Sequence, residues 1–324
     1  MRRREFITLV GGAAAWPVVA RAQQAERMRR VGILVLGPAV APKELTIVSE
    51  LARLGYAESR NVNYEIRGAD GDLGRLSMLT RALVATKPDV LIGASEIVAD
   101  ALAKATSEIP IVITVMADPI AIGLTNSISR PSRNVTGFTL SSSTLAAKRL
   151  ELLHELIPSL RKIAYLSSPM GPMPNIFEEQ VYKAANILGI TVFPMHITTE
   201  ASVSDGFLLA ERENVQAVMV ESHPANVRLG AHIIDECLLR DLPAIHPWNF
   251  EVRAGALMSY GPAELENHAG AAKYVDRILK GEKVFELPIE EPTQIKLAIN
   301  LRTARAIKLA IPSTLLARAD EVIE

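Results

Sequence analysis

A single cysteine, Cys237, rules out any intramolecular disulfide in this chain. That removes one mark of extracellular proteins without excluding export. Aromatic residues are scarce, at 5% of the chain, so Leu, Val, Ile and Ala must fill the interior and each aromatic ring is worth locating. Neither sign of charge dominates, the formal net charge being −1, and no basic stripe carries interleaved aromatics, so nucleic acid is not expected as a partner. Catalytic signatures are missing as well: there is no Walker A loop, no G-x-S-x-G elbow and no H-E-x-x-H. The six histidines are scattered, and none has metal-ligand spacing to another or to Cys237, so neither a metal nor a cofactor is expected. Gly68–Gly74 follows a strand, but its spacing is wrong for a dinucleotide loop and Asp70 and Asp72 would repel a pyrophosphate. A turn with Asp72 capping the next helix is the expectation there.

The N-terminus carries a clear signal. Arg2, Arg3 and Arg4 precede an uncharged stretch, Phe6–Ala20, that closes on the small-x-small sequence Ala20-Arg21-Ala22 before Gln23. This is the three-part order of an export signal over residues 1–22, and Arg3-Arg4-Glu5-Phe6-Ile7 resembles the twin-arginine pattern. Its removal leaves a mildly acidic protein with no later stretch near the ~20 apolar residues needed to cross a bilayer.

From Val31 onward short apolar runs alternate with helix-periodic segments. Strands are predicted at Val31–Leu36, Val62–Ile66, Val90–Ile92, Ile111–Val115 and Val135–Phe138, with helices between them. The pattern restarts with a helix at Thr144–Leu156, followed by strands at Ile163–Leu166, Ile190–Phe193, Ala217–Val220, Ala244–Ile245 and Leu257–Tyr260. Helices are predicted between these strands at Asn175–Leu188, near Asp205–Arg212 and at Asn226–Arg240. Unbroken apolar runs joined by helices are the mark of parallel strands buried on both faces. Two such series make two doubly wound (Rossmann-like) α/β lobes, and ligands bind outside the carboxyl ends of such strands. Glu264–Leu279, Gln294–Ile299 and a helix from Leu301 follow, which implies several crossings between lobes and hence a hinge. The expected partition is 28–142 with 261–291 in lobe 1 and 143–260 with 292–324 in lobe 2.

The candidate ligand-binding residues are those at strand ends: Ser95 and Glu96, Asp118, Phe138, Ser168 and Asn175, Ser222 and His223, Trp248, and Tyr260. Hydroxyls ahead of a helix suit a carboxylate, and a Trp and a Tyr suit an apolar or aromatic body. Asp118 and Glu96 would pair with an ammonium. Cys237, on one helical face with Ile233, Ile234 and Leu238, reads as a core residue. His154 and His268 read as surface residues, and Glu178-Glu179 reads as a helix-dipole pair. A doubly wound fold could also carry an enzyme or a ligand-presenting sensory partner, since fold alone does not give function.

Several stretches together resemble the ABC-transporter substrate-binding proteins of the group that includes tryptophan/tyrosine-type receptors. They are Arg2–Gln24, Asp118–Leu124 (DPIAIGL), Arg130–Gly137 (RPSRNVTG), Leu145–Leu153 (LAAKRLELL), Gly255–Gly261 (GALMSYG), Arg277–Lys283 (RILKGEK), Glu291–Thr293 and Ser313–Glu324. The resemblance spans essentially the whole chain. It implies a type I periplasmic-binding fold with three crossovers, a monomeric receptor, and delivery of a small ligand to a membrane permease and ATPase. It also implies ligand contacts from the loops at Ala94–Ile97, Asp118, before Asn175, Ser222–His223 and Tyr260. Glu96 stands where relatives more often carry a small or hydroxyl residue, and His223 where many carry Asp; both alter the charge of the pocket.

Overall fold

The computed structural model describes residues 27–140, 142–169, 176–262 and 264–324. The export signal expected over residues 1–22 and the candidate Asn175 lie outside them. Among the described residues twelve strands fall into two sheets. The first has the order β2-β1-β3-β4-β5, built from β1 (Arg29–Val35), β2 (Val62–Gly68), β3 (Val90–Gly93), β4 (Ile111–Met116) and β5 (Val135–Thr139), all parallel. The second has the order β12-β11-β10-β9-β8-β6-β7. Its β6 (Lys162–Ser167), β7 (Thr191–His196), β8 (Ala217–Val220), β9 (Ala244–His246) and β10 (Met258–Pro262) repeat the 2-1-3-4-5 order of the first sheet. β11 (Ile295–Asn300) then adds antiparallel to β10, and β12 (Glu321–Ile323) parallel to β11. The two predicted series are therefore two copies of one doubly wound topology.

The sequence dictates this layering. The central strands are buried on both faces, as the unbroken runs Val-Leu-Ile-Gly in β3 and Ala-Val-Met-Val in β8 require. Edge strand β7 is half-exposed and carries Pro194, which an edge tolerates. In the first lobe α1 (Thr46–Arg53) covers one face, and α2 (Leu73–Ala85) and α3 (Glu96–Ala105) cover the other. Asp72 caps α2 as expected, accepting from the Gly74 and Arg75 N–H groups. In the second lobe α4 (Ser142–Leu156) and α5 (Ile176–Leu188) share one core with the sheet. There α4 buries Leu150, Leu152, Leu153 and Leu156, each worth about 1.5–3 kcal/mol of apolar burial. The opposite face is covered by α6 (Glu200–Arg212), the one-turn α7 (Pro224–Arg228) and α8 (Gly230–Leu239).

The chain passes between the sheets three times: after β5, after β10, and between Glu290 and β11. After β10 it enters α10 (Glu264–Leu279), which returns to pack on α1, β3, β4 and β5 of the first lobe. Residues 288–290 then run beside β5, where Glu290 exchanges backbone hydrogen bonds with Gly137 and Thr139 before the third crossing. The second crossing passes against the loop after β9. A Cβ on Gly261 would stand 2.0 Å from the Pro247 carbonyl oxygen, so only glycine permits that approach.

Some local expectations shift. The helix expected over Asn226–Arg240 is two helices, since Pro224 opens α7 behind the His223 cap and the chain breaks at Leu229. The helix expected from Asp205 begins at Glu200, where Thr199 and Ser202 form a capping box. Short helices α9 (Asn249–Arg253), α11 (Leu301–Ala306) and α12 (Ser313–Leu316) complete the second lobe. His268 is not a surface residue: it is half-buried, and burial holds its imidazole below the ordinary range. His154 is also half-buried, with Nδ1 out of solvent and unpaired. Cys237 is in the core, as expected, and burial pushes its thiol up. Among the described residues no helix is long and apolar enough to cross a membrane.

Candidate functional site

The carboxyl ends of both sheets bring buried acids together. From the first lobe, β3 ends at Gly93 and the chain turns at Ser95 into α3. Ser95 has φ 125° and ψ 158°, a region that side chains rarely adopt and that costs on the order of 1–3 kcal/mol. Its hydroxyl accepts from the Val98 N–H at 3.4 Å, and its own N–H donates to the Val115 carbonyl at 2.9 Å. This turn places Glu96 at the first position of α3, buried. Burial pushes the Glu96 carboxyl up, against the pull of N–H groups donated by its own backbone and by Ala117.

From the second lobe, β8 ends at Val220 and the next residue, Glu221, is also buried. The Ser168 N–H donates to its Oε2 at 3.1 Å. Burial pushes the Glu221 carboxyl up to about 8; the Ser168 N–H works against this, and the charges of Glu96 and Glu178 add to it. Glu178 is buried on α5 and accepts from the Tyr182 hydroxyl at 2.7 Å. Tyr165, wholly buried on β6, feels Glu221 and Glu178, and its phenol is pushed well up, chiefly by burial. Three carboxyl groups thus share one desolvated region, and none of Glu96, Glu178 and Glu221 forms an ion pair among the described residues.

The nearest buried cation is Arg149 of α4. Its Nε donates to the Tyr260 carbonyl at 2.7 Å, and burial lowers its guanidinium to about 10 despite the charges of Tyr165, Glu251 and Tyr260. Glu251 in turn lies 3.2 Å from Nδ1 of the fully buried His246. Arg149 therefore ties the helix after the first crossing to the strand before the second.

The structure treats the sequence candidates unequally. It brings Ser95, Glu96 and Ser168 to the facing strand ends. Asp118 is half-buried at the end of β4, where its Oδ1 accepts from the Ile120 and Ala121 N–H groups at 3.1 and 3.0 Å, so that oxygen holds its own turn. Ser222 is half-exposed beside Glu221. His223 is buried, and its Nδ1 accepts from the Ala225 N–H at 3.1 Å. Phe138 lies in the first lobe's core, 5.3 Å from the Tyr274 ring, and points at α10. Trp248 is buried against Phe250, with their rings stacked at 6.3 Å. Tyr260 is half-buried against the second lobe's core.

Sequence reasoning passed over Glu221, Glu178 and Arg149 as site residues. Glu178 shares the spacing of buried Val181 and Ala185, and Arg149 that of Leu145, Leu152 and Leu153, so each is a charge on an apolar helical face. Glu221 directly follows a fully buried strand.

Among the described residues Ser167 Oγ lies 3.0 Å from His196 Nδ1 at the ends of β6 and β7. Ser204, His232 and Glu236 meet between α6 and α8, but the Ser204 hydroxyl donates to Glu236 at 2.7 Å. His232 Nε2, 2.9 Å from that oxygen, is left to donate to it rather than to take its proton. Among the described residues no cluster of His, Cys, Asp and Glu could hold a metal ion. The facing carboxyl groups suit capture of a cation in a dry space.

Comparison with known proteins agrees with this architecture. Residues 30–323 match the family described as ABC transporter substrate binding protein. A tyrosine-binding protein of Clostridioides difficile (strain R20291) is 23% identical over 303 residues, 91% of this chain and 86% of the relative. Among solved structures, an ABC domain in complex with L-Trp from Streptococcus pneumonia superposes with a TM-score of 0.82 at 22% identity, covering 91% of this chain and all (100%) of the other. A conserved domain protein of Vibrio cholerae gives 0.83 at 24% identity over 91% and 100% of the two chains. The ligand-free, open structure of a Clostridium difficile substrate binding protein with adhesive properties gives 0.64 at 21% identity, over 91% and 99%. At these identities the superpositions establish the fold, that of the type I periplasmic binding proteins.

Proposed function

The chain belongs to the ABC transporter substrate binding protein family, and we propose that it is a receptor outside the cytoplasm that closes its two lobes on an amino acid. The observation that carries this reading is the meeting of buried, unpaired carboxyl groups from opposite lobes, Glu96 on α3 and Glu221 after β8. Closing two acids on each other in a dry space is unfavourable unless a proton or a cation comes between them. An α-ammonium supplies that cation and makes closure depend on ligand. The dipole of α3 favours the ligand carboxylate at its start, where the Glu96 and Val98 N–H groups already serve the Glu96 and Ser95 side chains. The known ligands of similar proteins, L-Trp and tyrosine, carry an ammonium and a carboxylate on one carbon, as this arrangement requires. Of the aromatic candidates, Phe138 faces the first lobe's core, which leaves Tyr260 and Trp248 to meet a flat side chain. The three crossings act as the hinge, and the closed form docks on a membrane permease whose ATPase drives release inward.

Calorimetric titration of the mature chain tests this with L-Trp, L-Tyr, L-Phe and L-Leu against their deaminated acids. Binding of an amino acid with no binding of its deaminated partner is the expected result. Equal affinity for the two would sink the ammonium site.

A further inference from the structure

A concavity lies where the chain makes its third crossing. It is a groove of about 360 Å³ between α10 and the third crossing, within the usual size for small-molecule sites. Its wall on α10 carries Asn267, Gly270, Lys273 and Tyr274, and the crossing segment faces it with Glu290. Asn267 is 1% exposed, yet its Nδ2 has no hydrogen-bond partner. A buried amide donor left unpaired costs about 1–3 kcal/mol, so an acceptor arriving there gains it back. Lys273 is exposed and, among the described residues, makes no ion pair. Lys273 lines the same groove as Asn267. Gly270, between them, has no side chain to fill the space; a Cβ there would stand 2.3 Å from the Phe138 ring. Across the groove the Tyr274 hydroxyl donates to Glu290 Oε1 at 2.6 Å, which fixes the carboxylate as the negative end.

We propose that this groove is a second ligand site, taking a small zwitterion whose carboxylate is held by Asn267 and Lys273 and whose cationic end faces Glu290. Arg277 and Glu291 also line the groove, so a simple anion meets Glu290 and Glu291, a simple cation meets Lys273 and Arg277, and the two ends together select the class. Because Glu290 belongs to the third crossing, an occupant bears directly on the segment that bends when the lobes move.

The test is a titration of the ¹⁵N-labelled mature chain with 4-aminobutanoate, following the Asn267 side-chain amide and the Phe138 ring protons. Butanoate and butylammonium serve as the two half-ligands. The expected result is a saturable shift with 4-aminobutanoate, at least tenfold weaker with either half-ligand and at least tenfold weaker in Lys273→Glu, an exposed position whose change leaves the fold intact. Glu221→Gln, which alters the acids between the lobes, should titrate like the wild type. No saturable shift at either reporter overturns the proposal. So does a response lost in Glu221→Gln but kept in Lys273→Glu, which would place the molecule between the lobes.

Discussion

Glu221 makes the proposed capture of an ammonium a proton-linked event. Its carboxyl is held up at about 8, first by burial and then by Glu96 and Glu178. At neutral pH that group keeps its proton, and an ammonium must displace it. The apparent Kd therefore rises as pH falls below 8, by about tenfold per unit at the limit and about 50-fold between pH 8 and pH 6. Glu96, whose carboxyl is also pushed up, titrates with it as a pair, while Tyr165 and Arg149 keep their charge states throughout this window. Calorimetry in buffers of different ionisation enthalpy should show close to one proton released per ligand at pH 7. Glu221→Gln should weaken binding roughly 10- to 100-fold at pH 8, the worth of a charged hydrogen bond, and flatten the pH slope. The same shift has a stability face. A carboxyl raised from 4.5 to about 8 is more strongly protonated in the folded chain than in the unfolded one. Ligand-free stability is then full below pH 4.5 and falls as pH rises toward 8, by roughly 2–3 kcal/mol between pH 5.5 and 7.5. Thermal melts of wild type and Glu221→Gln read this directly. A Kd that is flat from pH 6 to 8, or proton uptake on binding, would refute the reasoning.

Two further outcomes separate structural from ligand-facing groups. Asp118→Asn keeps the oxygen that accepts from the Ile120 and Ala121 N–H groups, so calorimetry should find amino-acid affinity within about threefold of wild type; a large loss would show that the Asp118 charge meets the ligand. Ser95→Gly releases a strained φ of 125° at the cost of a weak cap, so chemical denaturation of the ligand-free protein should show a gain of about 0.5–1 kcal/mol, and a loss of that size would mean the turn is not strained.

The lobes were legible because parallel strands buried on both faces need no alternation: β3, β4 and β8 read directly as apolar runs, and the helices between them as 3.6-residue stripes. What escaped was decided by contacts between distant segments. β12 is three residues long, and its residues are at best half-buried; it exists because β11 offers an open edge. The break at Leu229 depends on His223 and Pro224 opening a separate turn, a cap that competes with the longer helical stripe.

The site was legible in its positions and not in its charges. Strand ends could be located by counting, which put Ser95 and Glu96 after β3 and Ser168 after β6, but burial of an acid cannot be read from the element that carries it. Glu178, one residue before the equally acidic Glu179, looks like a helix-dipole residue because that explanation is local and sufficient. It is the apolar stripe of Val181 and Ala185 that turns it inward, and Glu179, off that stripe, is exposed. The aromatic Phe138 failed in the opposite sense. In a chain so poor in rings, Phe138 was needed in the first lobe's core, against Tyr274, before it could be given to a ligand. A buried acid is costly in the lobe that carries it, and it acquires a purpose only where the other lobe brings a second acid and a ligand stands between them. Half of that arrangement lies some hundred residues away along the chain, so a local pattern can mark each acid as misplaced but cannot say what it is for.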